Sequence, residues 1–485
     1  MSETGLRRRP AEGLPLGAPL LLTAVCLWAS VHALYELTFA PLGRDQGIFQ
    51  YVAWALRHGA RGYRDVHDIN GPLPHLWFML LQGLGGEDEH VFRSIDTIVL
   101  VSVYAAASST IPRWLSAGAS RLEQIMWALA GVALLGAQYS VYDWWHTAQR
   151  EALYSILVYG SLALQVIAHQ TRDAKKSFRA LAIGSFLTAL TWYGKPPCVI
   201  FAILQLAVLV YDRESLVLST KRIASAIGVG AGAALLVVVA FVLRYEDALA
   251  GLRSLAAVPL LHHTIWNKTL VDCYHAYGNA AHLDWAAATT VVFLIVYFVL
   301  RLPKRALLAL VLPIGGFAVF AIQAKGFPYH LHMMTLGTGV MHLTLVSAFA
   351  NFGRKHARWA DFVAVGALAL GLEYRESATM SPGVSGQWSK IGATAAMRDS
   401  PAYIEDFEWE DFYAGDLRDA ARYLRSHTAA SDRVQTYGLD PYLLFLARRQ
   451  SASPVIYDFE LNLDAALEAG TGASPSEAVR SKLFE

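Results

Sequence analysis

From Gly17 to about Leu372 the chain alternates apolar runs of roughly 17–22 residues with short connectors that carry most of its charge. At 1.5 Å rise per residue, a helix of that length crosses the ~30 Å hydrocarbon core of a bilayer. A transmembrane β-barrel instead shows alternating segments of about ten residues. Charged residues make up only 16% of the 485, against about a quarter in a soluble domain. The pattern predicts an all-α polytopic membrane protein. A net charge of +1 offers no bulk attraction for nucleic acid. The three cysteines, Cys26, Cys198 and Cys273, imply neither a disulfide nor a metal cluster.

Run length places about eleven transmembrane helices, near 15–35, 94–112, 124–140, 151–169, 178–193, 196–211, 223–243, 285–300, 306–322, 331–350 and 359–372. Arg7, Arg8 and Arg9 precede the first run and set the N-terminus on the cytoplasmic side. Val31-His32-Ala33 resembles a signal-peptidase site, but the preceding run is long enough to span, so it is expected to remain as a helix. Connectors dense in Lys and Arg, such as Arg172–Arg179 and Arg301–Arg305, then fall on the N-terminal side. Connectors bearing Asp, His, Trp and Tyr fall on the other. The expected location is therefore the inner (plasma) membrane, multi-pass, with the motif-bearing loops extracytoplasmic. A long outer loop is expected over about 244–284.

After Leu372 charge becomes frequent. Two units are expected: a membrane unit, 1–372, and a small extracytoplasmic soluble α/β domain, 373–485. Leu417, Ala421 and Leu424 share one face of a helix over 416–427. A short strand follows over 434–437, and a helix over 442–447.

The first outer loop, about 36–93, interrupts the apolar runs most strongly. Gly47–His58 and Pro74–Leu84 read as interfacial helices lying in the membrane surface. The loop holds Asp45, Asp65 and Asp68. Asp45, at the start of the first of these helices, can cap free backbone N–H groups. It is equally a carboxylate held at the surface as a general base, able to take a proton from an acceptor hydroxyl. Gly71, Pro72 and Pro74 form a rigid turn that starts the second helix.

These elements together resemble the GT-C superfamily of integral-membrane glycosyltransferases. They are an Asp just past the first span, Tyr63-Arg64-Asp65, the turn from Asp68 to Pro72-Leu73, and an interfacial helix. Within it the resemblance is to bacterial relatives of protein O-mannosyltransferases and of the aminoarabinose transferase of lipid A. The resemblance implies the GT-C fold, with Asp45 as the catalytic base; Asp68 of the same loop is a further catalytic candidate. Many relatives carry Lys-Pro-Pro at the turn; here it is Asn70-Gly71-Pro72. In the family a second outer loop brings another acid near the first, sometimes with a divalent metal. Glu151, Asp143 and His146 are the local candidates, Glu151 as a catalytic acid. Asp143 and His146 are candidate ligands for Mn, Mg or Zn, although their spacing is not itself a metal signature.

Two other turns supply lysine on the acid-rich side: Lys195 in Tyr193-Gly194-Lys195-Pro196-Pro197, and Lys325 in Gln323-Ala324-Lys325-Gly326-Phe327-Pro328-Tyr329-His330. An interfacial lysine often only snorkels. A phosphate at headgroup level needs cations there, so Lys195, Lys325, Tyr329 and His330 are the candidate donor-phosphate ligands. The second stretch resembles one found in bacterial GT-C relatives.

The expected activity is transfer of a hexosyl or pentosyl group from a polyprenyl-phosphate donor to an extracytoplasmic hydroxyl of a glycan, lipid or protein, within the cell envelope. A transporter or lipid flippase places ionisable groups at mid-span, whereas these spans are nearly free of charge. A polysaccharide polymerase or ligase depends on a large arginine-bearing outer loop, and 244–284 holds only Arg244 and Arg253.

Overall fold

A computed structural model describes residues 27–28, 30–116, 120–140, 142–265, 268–356, 393–398, 400–409, 412–438 and 440–457, with the side chains of 257–265, 353–356 and 409 excepted. The span expected over 359–372, and most of that over 15–35, lie outside these residues. Helix α1 covers 30–37. Then come α2 (Arg44–Arg57), α3 (Pro72–Gly85), α4 (Glu89–Ser108), α5 (Arg121–Ser140), α6 (Arg150–Gln170), α7 (Ala174–Trp192), α8 (Val199–Tyr211) and α9 (Thr220–Tyr245). After them come α10 (Ala248–Ile265), α11 (Asn279–Val299), α12 (Val311–Gln323) and α13 (His332–His356).

Six helical segments among the described residues are long and apolar enough to cross a membrane. The chain is a multi-pass membrane protein. Its long helices begin where the sequence provides caps. Asp88 accepts from His90 N and Val91 N, Asp173 from Lys175 N and Lys176 N, and Ser219 from Arg222 N. Each cap satisfies donors that a helix start leaves free. The 26 residues of α9 reach about 39 Å, enough to span with some tilt. Burial separates centre from rim: the span Pro328–Phe352 is 83% buried within the bundle, while Thr220–Tyr245 is 28% buried. The rim helix therefore turns most of its apolar surface outward, as lipid contact requires. Helices α6, α7 and α9 pack in sequence, and α13 packs on α11, α12 and α5.

The stretch expected to be a loop over 244–284 is instead largely helical, through α10, Leu270–His275 and the start of α11. Its Trp, Tyr and His residues masked an apolar helical pattern in Leu249, Leu252 and Leu255-Ala256. The helices expected over 47–58 and 74–84 begin three and two residues earlier than read. Pro72 and Pro74 sit in the first turn of α3, where proline's fixed φ fits and its missing N–H is not needed.

After residue 393, β1 (Glu408–Trp409) and β2 (Phe412–Tyr413) form an antiparallel pair. Helix α14 (Ala414–His427) follows, then β3 (Arg433–Val434), α15 (Tyr442–Ala447) and β4 (Gln450–Ser451), with β3 and β4 parallel. This segment is pressed onto α2. A Cβ at Gly47 would lie 2.4 Å from Tyr442 Cβ, so only glycine permits that approach. Arg44 Nε donates to Asp440 Oδ1 at 2.9 Å, and Ser451 N donates to Tyr51 Oη at 2.7 Å. Arg418 and Tyr442 both donate to Glu89 at the start of α4.

Candidate active site

Asp45 lies in the first turn of α2, whose start is fixed by buried polar contacts rather than by a side-chain cap. Gln46 Nε2 donates to Trp145 O at 2.9 Å and Thr147 O at 2.5 Å. Arg93, 2% exposed, donates to Pro41 O at 2.6 Å, Trp144 O at 2.8 Å and Thr147 Oγ1 at 3.2 Å. These bonds hold the start of α2 against the segment 142–149. That segment enters α6 through two non-glycine residues at positive φ, Asp143 (52°) and Ala148 (53°). Such backbone persists only where its surroundings enforce it.

Asp45 faces the charges that open α6. Arg150, Glu151, Arg44 and Lys325 all act on its carboxyl electrostatically, and Tyr329 shares a hydrogen bond with it. Burial dominates and holds the Asp45 carboxyl above the ordinary carboxylate range. Glu151 is fully buried. Its Oε1 accepts from Lys195 Nζ and from Arg150 Nε at 3.1 Å, and His330 Nε2 is 3.9 Å away. Its Oε2 is buried with no hydrogen-bond partner among the described residues, as is the nearby Tyr154 hydroxyl. Lys195 Nζ also donates to Gln323 Oε1 at 2.6 Å, which ties its turn to the end of α12.

Lys325 is set between two left-handed residues, Ala324 (φ 49°) and Gly326 (φ 73°). Asn279 Nδ2 donates to Gly326 O at 2.6 Å, and Lys268 N to Ala324 O at 2.9 Å, which pins the turn from both sides. Lys195 and Lys325 are each 8% exposed. Burial lowers the pKa of both lysines, and neighbouring cations lower that of Lys325 further. The residues named from sequence as Asp45, Glu151, Lys195, Lys325, Tyr329 and His330 are thus gathered at one end of the bundle.

Asp143 and His146 lie beside this group. The His146 ring stacks on Tyr329 with centroids 5.9 Å apart, and its Nδ1 is 3.9 Å from Asp143 Oδ1. Burial raises the Asp143 carboxyl to about 7 and lowers the His146 imidazole to about 3. Among the described residues, no group of three or more His, Cys, Asp or Glu side chains is placed to hold a metal ion. Two donors do not complete a coordination shell for Mn, Mg or Zn, so no chemical step is assigned to a metal.

Asp68 has different company. It is 0% exposed, and both carboxylate oxygens are engaged. Oδ2 faces His75 Nε2 at 2.6 Å; Oδ1 accepts from Asn70 Nδ2 at 2.7 Å and from Tyr457 Oη. Asp65 is a surface group: its Oδ2 accepts from Arg61 N and Arg64 Nη2, each at 2.8 Å. The Arg64 hydrogen bond holds its pKa below the ordinary value.

Sequence reading passed over Arg150, which adds a third cation between Asp45 and Glu151. A lone Arg at the mouth of a span reads as an interfacial anchor, and its adjacency to Glu151 was the available signal. It also missed His75 and Glu246, which meet across 171 residues of chain.

No protein-family model matches the sequence, and no curated protein sequence matches it. Solved structures do match. ArnT from Cupriavidus metallidurans, crystallised with undecaprenyl phosphate, aligns over 90% of this chain and 86% of its own, with 14% identity and a TM-score of 0.53. An oligosaccharyltransferase from Archaeoglobus fulgidus, solved with Zn and sulfate, aligns over 89% of this chain and 62% of its own, with 14% identity and a TM-score of 0.46. Arabinosyltransferase EmbB from Mycobacterium smegmatis aligns over 98% of this chain and 40% of its own, with 13% identity and a TM-score of 0.36. The first of these likenesses is one of fold, and that fold is the GT-C fold.

Proposed function

We propose that the chain is a membrane glycosyltransferase that moves a sugar from a polyprenyl-phosphate donor to an acceptor hydroxyl. The observation that carries this reading is the charge count of the buried group. Among the described residues three cations, Arg150, Lys195 and Lys325, stand with two carboxylates, Asp45 and Glu151, while Arg44 is paired with Asp440. Surplus buried positive charge is costly unless an anion completes it, and a donor phosphate is such an anion. ArnT, the solved counterpart with the same fold, holds undecaprenyl phosphate.

In this reading the Asp45 carboxylate takes the proton of the acceptor hydroxyl. The acceptor oxygen forms its bond to the anomeric carbon as the bond from that carbon to the phosphate oxygen breaks. The electron pair leaves on the polyprenyl phosphate, with inversion at the sugar. Lys195, Lys325 and Arg150 neutralise the departing phosphate, where fixed charges act without reorganising. His330 and Tyr329 line the same place. The raised pKa of Asp45 brings its basicity closer to working pH, as a general base needs. Asp68 contributes by holding the loop in shape rather than by touching the reacting atoms.

The reading extends to the whole chain. About eleven helices form the membrane unit, 1–372, with the N-terminus cytoplasmic. Residues 373–485 form an extracytoplasmic unit above the site, and the membrane is the inner membrane. Hexosyl and pentosyl donors, and glycan, lipid and protein acceptors, all fit this chemistry.

The test is reconstitution in vesicles with undecaprenyl-phosphate-linked sugars and acceptors of each class, comparing wild type with Asp45→Asn. Donor consumption by wild type and its loss in the variant support the assignment. Full-rate transfer by Asp45→Asn removes Asp45 as the base. Movement of the lipid-linked sugar across the vesicle without transfer replaces the reading with transport.

A further inference from the structure

A second buried charge cluster lies beside the site and plays no part in the transfer step. His75, on the first turns of α3, is 0% exposed. Its Nε2 meets Asp68 Oδ2 at 2.6 Å, and its Nδ1 meets Glu246 Oε1 at 2.8 Å. With a carboxylate at each nitrogen, both ring positions act as donors, so the imidazole carries its charge. Glu246 follows the last turn of α9, and Asp68 sits in the loop between α2 and α3. One ring therefore joins three elements that are far apart in sequence.

The cluster is sealed from solvent, and among the described residues Glu246 Oε2 lacks a hydrogen-bond partner. Tyr63 lies 5.7 Å from the His75 ring, and its hydroxyl donates to Asn70 O at 2.6 Å. Tyr457, from the segment after β4, donates to Asp68 Oδ1, and His67 N donates to Pro454 O at 2.7 Å. Gly62 N donates to Tyr245 O at 3.1 Å, and Arg61 Nη1 donates to Leu243 O at 3.2 Å and Arg244 O at 3.0 Å. The loop is thus strapped to the end of α9, and the clamp is its buried centre.

What the clamp holds is a close contact with the donor side. A Cβ on Gly71 would lie 2.3 Å from Tyr193 O and 3.1 Å from Gly194 O, and Leu73 N donates to Tyr193 O at 3.4 Å. The next residue in that turn is Lys195, whose ammonium reaches Glu151. Gly194 itself is wedged against Tyr154; a Cβ there would lie 2.2 Å from its hydroxyl oxygen. An unbroken series of contacts runs from His75 through Gly71 and Tyr193 to Lys195.

We propose that His75 is a positioning residue for donor binding: clamped between Asp68 and Glu246, it fixes the turn at Gly71, and that turn seats Tyr193-Gly194 so that Lys195 faces the donor phosphate. The ligand named here rests on the phosphate-donor reading above; the clamp does not. Removing the ring's charge strands two buried carboxylates, and their repulsion pushes the loop off α9. Removing one carboxylate at the same time relieves that repulsion.

The experiment uses the full chain in lipid nanodiscs with two readouts. Hydrogen exchange is followed over peptides covering 66–74 and 190–198, and affinity is measured for undecaprenyl phosphate alone. In His75→Gln, both peptides exchange faster and affinity falls by about tenfold or more, the scale of one broken buried pair. In His75→Gln/Glu246→Gln, both readouts return to within about threefold of wild type. That recovery separates charge clamping from space filling, because a packing defect is not repaired by neutralising a neighbour. Unchanged exchange over 190–198 in the single variant overturns the proposal, as does a double variant no better than the single. Faster exchange there in a protein whose wild type binds no undecaprenyl phosphate upholds the clamp and overturns the donor reading. If His75→Gln does not fold, Glu246→Gln and the double variant carry the comparison, with wild-type-like exchange expected in both.

Discussion

Two buried charge clusters stand side by side in this protein, and they differ in what they leave open. Around His75 each oxygen of Asp68 is taken, the ring sits between two carboxylates, and nothing reaches solvent. Around Glu151 the balance is the other way. Among the described residues cations outnumber carboxylates there, and Asp45 keeps part of its surface open, whereas Glu151 Oε2 and the clamp's Glu246 Oε2 are alike in lacking a hydrogen-bond partner. Three of the backbone positions framing that site, Asp143, Ala148 and Ala324, are non-glycine residues at positive φ. Around the clamp, Tyr63 alone among the described residues is of that kind. A sealed cluster, with one imidazolium held between two carboxylates, joins elements together. An open one with more cations than carboxylates and strained supports fits the proposal that it receives an anion.

The two clusters should therefore fail differently when broken. Asp45→Asn is expected to lower transfer by roughly 10²–10⁴-fold, the usual worth of a general base, with the thermal midpoint unmoved. Turnover and melting of the same preparation decide this, and a fallen midpoint would make Asp45 a structural cap. His75→Leu should do the reverse first: a loss of about 3–5 kcal/mol of stability, from stranding both carboxylates, read by chemical denaturation. The same cluster gives a pH signature. The His75 pKa is raised from 6.5 to about 9; burial opposes this, and the hydrogen bonds and charges of Asp68 and Glu246 outweigh it. A raised pKa contributes stability that is fully present below 6.5 and lost as pH rises through about 9, on the order of 3 kcal/mol. Unfolding followed from pH 6 to 10 should show this slope in wild type and lose it in the His75→Gln/Glu246→Gln double variant.

The open site has its own profile, of opposite origin. In the proposed transfer Asp45 would act as a base only once deprotonated, above the ordinary carboxylate range because burial raises its pKa. Lys325 would bind the donor phosphate only while protonated, and burial and nearby cations make it release its proton below the usual ammonium range. The profile of kcat/KM against pH is thus a bell narrowed from both sides. Lys325→Arg should remove the falling limb and leave the rising one. Lys325→Met should weaken undecaprenyl phosphate binding by roughly 10–100-fold, with Asp45-dependent proton chemistry retained. A falling limb unchanged in Lys325→Arg would assign it to another group.

How much of this was legible in the sequence follows from the range of each signal. Run length and connector charge are local, so the nine expected spans between 94 and 350, which fall within the described residues, were readable to within several residues. The helices Ala414–His427 and Tyr442–Ala447 also lie where periodicity placed them. The stretch 244–284 misled because its polar and aromatic residues look like loop while α10 is helical. At the site, Lys195 and Lys325 announced themselves by lying in Gly/Pro turns among acids. His75 gave no sign. A histidine beside Pro74 is unremarkable until Glu246, 171 residues later, is brought to 2.8 Å. The same limit governs the three aspartates of one loop. Asp45, Asp65 and Asp68 are alike in sequence, and only the partners brought by other helices make them site, surface and clamp.

That division gives the smallest and most discriminating prediction. Asp65 pairs with Arg64 at 2.8 Å, and Arg64 is largely in water. Its nearest support is the backbone N–H of Arg61. An exposed ion pair of this kind contributes between 0 and about 1 kcal/mol. Asp65→Asn should leave undecaprenyl phosphate binding and turnover at wild-type levels, and its small loss of stability should vanish in about 1 M salt, where the Debye length shrinks to about 3 Å. The clamp at Asp68, only three residues on, is sealed from ions, so the effect of Asp68→Asn should persist at the same salt concentration. Denaturation of both variants at low and high salt makes the comparison directly. If the two respond alike to salt, the boundary drawn between surface and clamp within this loop is in the wrong place.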